Sequence, residues 1–171
     1  GEHPVGLARS GADEPGREQQ APGKTPAFDP LGRQRAKQCL ILGRGGLIVA
    51  GSGGRAIFHI DLKTKKKTVL VDKFMGKRLN TPNDCVLGPD GSIYFTDPPY
   101  GLLDRNADRD QPYSGIFRLA PDNSLHLIDT TLAPNGIGVS PDGKILHVSM
   151  GQSLYGFDID GPGKLSTRTY G

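Results

Sequence analysis

The chain has 171 residues, within the range of one ordinary domain, and carries Gly 25 and Pro 14 with no Trp and a net charge of +3. That composition fits short strands separated by tight turns better than long helices, and an all-β fold is expected. No stretch approaches the roughly 18 apolar residues of a membrane span, and the N-terminus lacks the charged-then-apolar order of a signal peptide.

Residues 1–38 are rich in Gly, Pro, Arg, Gln and Ala without apolar periodicity, which predicts an irregular or poorly ordered leader. The chain begins with Gly rather than Met, so the start of translation is expected upstream, and the compartment stays open between cytoplasm and periplasm. From Cys39 onward, short apolar runs alternate with turn signals, and residues 39–171 read as one all-β unit. The runs are Gly46 to Ala50, Ile57 to Leu62, Thr68 to Val71, Cys85 to Leu87, Ile93 to Thr96, Ile116 to Leu119, Leu125 to Ile128, Ile137 to Val139, Ile145 to Ser149 and Leu154 to Ile159. All have strand length, and Pro-Asp-Gly, Gly-Arg-Gly-Gly and Asp-Gly turns bound them.

The basic run Lys63 to Lys67 falls where two of these strands turn, and no aromatic residues interleave with it as a base-stacking surface requires. It reads as a solvated hairpin tip, so no nucleic-acid partner is expected. Cys39 and Cys85 have no metal-type spacing and lie in apolar strands, where Cys packs as a small hydrophobe. His3, His59, His126 and His147 occur singly, without paired ligand spacing.

Self-similarity is the informative feature. Pro82-Asn83-Asp84-Cys85-Val86-Leu87-Gly88-Pro89-Asp90-Gly91 aligns without a gap with Pro134-Asn135-Gly136-Ile137-Gly138-Val139-Ser140-Pro141-Asp142-Gly143. A second and a third strand follow each copy, and a fainter copy aligns Lys37 with Asn83, Cys39 with Cys85 and Gly45 with Gly91. A period near 50 residues with several strands per repeat is the signature of propeller blades. Two clear blades and one decayed blade leave two sheet faces to be covered, which predicts a partial propeller that pairs with further blades or with another chain.

In a propeller the innermost strand of each blade lines the channel, so Asn83 and Asn135, opening that strand in the same register, are expected to point at one shared site. A side-chain amide offers a neutral oxygen to a hard cation or to a substrate hydroxyl. It can equally bond its own turn, and spacing alone leaves both readings open. Asp104-Arg105-Asn106-Ala107-Asp108-Arg109-Asp110 imitates the start of an EF-hand loop but lacks its Gly at position six and its flanking helices, and reads as a polar connection at the channel rim.

Three segments, Gly76-Lys77-Arg78-Leu79-Asn80-Thr81-Pro82-Asn83-Asp84, Gly91-Ser92-Ile93-Tyr94-Phe95-Thr96-Asp97-Pro98-Pro99-Tyr100-Gly101 and Pro134 to Gly143, occur in the order seen in the gluconolactonase / senescence-marker-protein (regucalcin) / luciferin-regenerating family. The resemblance covers about residues 40 to 160. It implies a six-bladed propeller, about half of it in this chain, with one divalent cation at the channel mouth: calcium by preference, zinc as the alternative. By that resemblance Asn135 matches a metal ligand, and Asn83 matches the Asn that contacts substrate or a metal-bound water. Asp84 and Asp97 follow in the same motifs, either touching substrate or holding the turn. Glu2, in Gly1-Glu2-His3-Pro4-Val5, is similar to the first-blade Glu ligand, and the general-base Asp is expected beyond Gly171. The implied reaction is hydrolysis of a sugar-type lactone as small-molecule substrate. A noncatalytic calcium- or partner-binding propeller and an inactive truncated fragment are the competing readings.

Overall fold

The computed structural model describes residues 38–130, 133–160 and 165–170. Nearly all of the predicted leader, including Glu2, lies outside the described residues, as does Lys37.

The described chain folds into three four-stranded antiparallel sheets and one short hairpin. Blade 1 comprises β1 (Gln38–Gly43), β2 (Gly46–Gly51), β3 (Ala56–Asp61) and β4 (Lys67–Val71). The hairpin of β5 (Lys73–Phe74) and β6 (Lys77–Arg78) leads into blade 2, which comprises β7 (Cys85–Leu87), β8 (Ile93–Asp97), β9 (Gly115–Leu119) and β10 (Leu125–Asp129). Blade 3 comprises β11 (Ile137–Val139), β12 (Ile145–Met150), β13 (Ser153–Ile159) and β14 (Leu165–Tyr170). Each sheet pairs its strands in sequence order, the meander of a propeller blade. β1, β7 and β11 are the innermost strands.

The repeated Pro-Asp-Gly is the turn that closes the first two strands of a blade. Gly91 and Gly143 occupy it with φ of 81° and 74°, and Gly45 does the same in blade 1 with φ 77°. That left-handed backbone is free of cost for Gly alone. Asp90 and Asp142 each accept, through Oδ1, the N–H two residues on, at 3.0 and 3.1 Å. The turn chemistry therefore explains why the motif recurs.

Packing between blades explains why β8 and β9 are apolar on both faces. Ile93 and Phe95 point toward blade 1, joining Ile48, Ala50, Ile57, Leu79, Cys85, Phe117 and Leu119. Tyr94 points the other way, joining Ile116 with Leu146, Val148 and Phe157 of blade 3. Phe95 stacks on Phe117 at 5.3 Å between centroids, and Phe74 of the hairpin meets Phe117 edge-on at the same distance. Burying side chains of this size stabilises by about 1.5–3 kcal/mol each. On the far side of blade 1, Val49, Ala56 and Phe58 form a smaller cluster, beside which Leu40 and Leu42 of β1 are exposed.

Two arginines bind blade 1 to blade 2 at opposite ends. Arg44, at the β1–β2 turn, donates to Asn123 Oδ1 at 3.0 Å and to the Ala120 carbonyl at 2.9 Å. Arg55, at the β2–β3 turn, donates through Nε to the carbonyls of Leu79 and Asn80 at 2.7 and 2.9 Å and pairs with Asp110 at 3.0 Å. Both have left-handed backbone, with φ of 52° and 53°.

The predicted strands match the observed ones to within a residue or two. The basic run lies at the exposed β3–β4 turn, where Asp61 Oδ1 accepts the N–H groups of Lys63 and Thr64, and Lys67 begins β4 with its ammonium over the Phe58 ring. The β5–β6 hairpin, whose strands are too short to show alternation, β14 and the single 3-10 turn at Ser52–Gly54 have no counterpart in the sequence reading, and β1 is indicated there only through Cys39. No helix among the described residues is long and apolar enough to cross a membrane.

Candidate functional site

The inner strands of blades 2 and 3 begin in the same way. The N–H of Asn83 bonds the Thr96 carbonyl at 2.9 Å and the N–H of Thr96 bonds the Asp84 carbonyl at 3.0 Å. One blade on, the N–H of Asn135 bonds the Ser149 carbonyl at 2.8 Å and the N–H of Ser149 bonds the Gly136 carbonyl at 2.9 Å. Asn83 and Asn135 are thus equivalent positions at one end of the channel-lining strands, Asn83 half-buried and Asn135 exposed.

Their side chains meet. Asn83 Nδ2 donates to Asn135 Oδ1 at 2.7 Å and to the Asn135 carbonyl at 3.1 Å. Thr96 Oγ1 donates to the same carbonyl at 2.8 Å. Asp84 Oδ2 accepts the N–H of Ile137 at 3.0 Å, while its Oδ1 accepts the N–H of Cys85 at 2.9 Å. Asp84 and Thr96 therefore clip the start of β11 to blade 2 and fix where Asn135 stands. In blade 3 the Asp is replaced by Gly136, whose N–H bonds Ser149 Oγ at 2.9 Å. A Cβ there would lie 2.9 Å from that hydroxyl, so the close approach requires Gly.

Asp97 occupies a different place. It ends β8 fully buried, and its Oδ2 accepts the Asn80 N–H at 2.7 Å. Asn80 returns two bonds through Nδ2, to the carbonyls of Asp97 at 3.1 Å and Tyr113 at 2.8 Å. Burial pushes the Asp97 carboxyl up to about 7, against the opposing pull of the Asn80 N–H and of the Arg55 charge. Residues 79–82 form a strap leading into β7, held also by Ser52 Oγ on the Pro82 carbonyl at 2.8 Å and Thr81 Oγ1 on the Pro98 carbonyl at 2.5 Å. The hydrogen bonds of Asp97 thus run to the strap that delivers Asn83, rather than to Asn83 or Asn135.

The long β8–β9 connection rims the same end. Tyr100 Oη reaches blade 3 and donates to the Ala133 carbonyl at 3.0 Å, two residues before Asn135. Two carboxylates of the EF-hand-like segment bond its own backbone, Asp104 Oδ1 accepting the N–H groups of Asn106 and Ala107 and Asp108 Oδ2 that of Asp104, while Asp110 pairs with Arg55. No group of three His, Cys, Asp or Glu side chains that could hold a metal occurs among the described residues.

The amides of Asn83 and Asn135 suit a hard cation in ligand type and in convergence. Turning the Asn83 amide about its last torsion exchanges Nδ2 for Oδ1 toward Asn135 and gives two oxygens facing one point. Two oxygens fall short of the six to eight that calcium takes, so the pair fits as part of a ligand set. Thr96 and Ser149, which place these amides, were missed from sequence. The signal was available, because both stand next to last in a second strand, opposite the aligned Asn-Asp and Asn-Gly pairs.

Comparison with known proteins gives consistent matches. The family model described as the SMP-30/gluconolactonase/LRE-like region matches residues 17–170. A gluconolactonase from Zymomonas mobilis is 42% identical over 132 residues, covering 73% of this chain and 37% of that protein. A lactonohydrolase from Aspergillus oryzae is 30% identical over 96 residues, covering 54% and 22%. The structure of a gluconolactonase from Xanthomonas campestris superimposes with a TM-score of 0.64 at 34% identity, covering 72% of this chain and 44% of that one. The chain therefore spans less than half the length of each of these relatives.

Proposed function

Because this chain belongs to the SMP-30/gluconolactonase/LRE-like family, we propose that it contributes to the active site of a hydrolase that opens sugar-type lactones. The observation that carries this reading is the meeting of Asn83 and Asn135 at the channel mouth, 2.7 Å apart through their amides.

In this proposal Asn135 ligates a divalent cation, calcium by preference and zinc as the alternative, because amide oxygens suit a hard ion. Asn83 serves beside it as a ligand or as a donor to a sugar hydroxyl. The remaining ligands, Glu2 among the candidates, come from outside the described residues, as does the carboxylate that accepts a proton from the attacking water. When bound, the cation supplies polarisation of the ester carbonyl and a more acidic water. Asp84 and Thr96 hold Asn135 in place, and Asp97 holds the strap that presents Asn83.

The test measures hydrolysis of gluconolactone, with and without chelator, by this chain and by forms extended at either end. Turnover that is lost to chelator and restored by calcium is expected at least in an extended form. Asn135→Ala should then abolish calcium binding measured by titration calorimetry, and Asn83→Ala should lower turnover at least tenfold. Full activity in both variants would refute the assignment.

A further inference from the structure

We propose that Cys39 and Cys85 form an oxidation site: a reversible disulfide, made by exchange with a low-molecular-weight disulfide such as oxidised glutathione, that joins the inner strands of blades 1 and 2. Cys39 lies on β1 and Cys85 on β7, and both thiols are free. The Cys39 Sγ donates to the Cys85 carbonyl at 3.4 Å. Cys85 belongs to the apolar cluster between the blades, and Cys39 packs against that same cluster. With the Cys39 sulfur already seated against the Cys85 main chain, rotation of the two side chains is the movement proposed to bring the sulfurs to the S–S separation of about 2.05 Å.

Their exposure sets an order of events. Cys39 is half-buried and open to a small reagent, whereas Cys85 is only 3% exposed. The Cys39 sulfur attacks one sulfur of the reagent, breaking its S–S bond, and the departing half takes up the proton as a free thiol. Cys85 then gives up its proton and attacks Cys39 Sγ, which breaks the mixed disulfide and releases the second thiol. The two cysteines are oxidised by the loss of two hydrogens, and the reagent is reduced to two thiols. The new bond would lie two residues from Asn83 and adjacent to Asp84, whose carboxylate holds both the Cys85 and the Ile137 N–H.

The 171-residue chain is incubated under native conditions with oxidised glutathione, digested with trypsin without reduction, and mapped by mass spectrometry. Peptide 38–44 joined to peptide 79–105, two hydrogens lighter than their sum, is the expected product. Cys85→Ala should stop at a glutathione adduct on Cys39, and Cys39→Ala should leave Cys85 unmodified. Dithiothreitol should return the wild type to two free thiols. Separate adducts on both cysteines, a cross-link between two chains on a non-reducing gel, or two thiols that stay free would each overturn the proposal. The readout is independent of lactone hydrolysis.

Discussion

Replacing Asp97 with Asn should remove a pH dependence from the stability of this chain. In the folded state burial holds the Asp97 carboxyl at about 7, against an ordinary value of 3.8. A raised carboxyl favours the protonated folded form, so its contribution to stability is complete below about pH 4 and is lost as pH rises through 7. Three units correspond to roughly 4 kcal/mol, an upper figure for the loss between pH 4 and pH 8. Arg55 and Arg109, whose charges favour the ionised form, and Tyr113, on which the Asp97 charge acts, remain in both proteins. Asn imitates the protonated acid: its oxygen can still accept the Asn80 N–H, and its amide nitrogen supplies a donor where Asp97 Oδ1 is buried without a partner. Urea unfolding at intervals from pH 4 to pH 8 measures the difference between the two proteins, in which other titrating groups largely cancel. Asp97→Asn should lie close to wild type at pH 4 and become relatively more stable by one to a few kcal/mol at pH 8. A flat difference across that range, or a variant less stable at pH 8, would refute the account of Asp97.

Further outcomes follow from packing and from the amide pair. Phe95→Ala removes a ring stacked on Phe117 in the joint between blades 1 and 2, and should lower the unfolding free energy by about 3–5 kcal/mol in the same urea assay. Gly136→Ala places a methyl 2.9 Å from Ser149 Oγ and should weaken the calcium binding proposed above, read by calorimetry. Gly138→Ala, where a Cβ meets nothing within 4 Å, should leave it unchanged and serves as its control.

Blades 2 and 3 were legible because their turns leave a compositional mark: a Gly with left-handed φ after Pro-Asp cannot be replaced without strain. The channel-lining strands could be aligned from that mark, and with them Asn83 and Asn135. Blade 1 was faint because its turn is Arg44-Gly45, without the preceding Pro-Asp. Arg44 and Arg55 could not be recognised as ties between blades, since most of their partners are carbonyls, which sequence does not distinguish, and Asn123 and Asp110 lie far along the chain from them. Asp97 was placed near the site by its motif, but its burial depends on the strap and on the loop through Tyr113, two segments brought together only by tertiary folding. Thr96 could have been marked by its place opposite the aligned pairs, but its acceptor, the Asn135 carbonyl of the next blade, is set only by tertiary folding.

The two joints between blades are built unequally. Arginines brace blade 1 against blade 2 above and below, so that pair should open only as a block. Blade 3 is pinned to blade 2 at the amide end by Asn83, Asp84 and Thr96, and at the opposite end Gly143 lies close to Pro89. Any rocking of blade 3 that keeps these bonds leaves the spacing of the two amides unchanged, since Asn83, Asp84 and Thr96 all grip the start of β11.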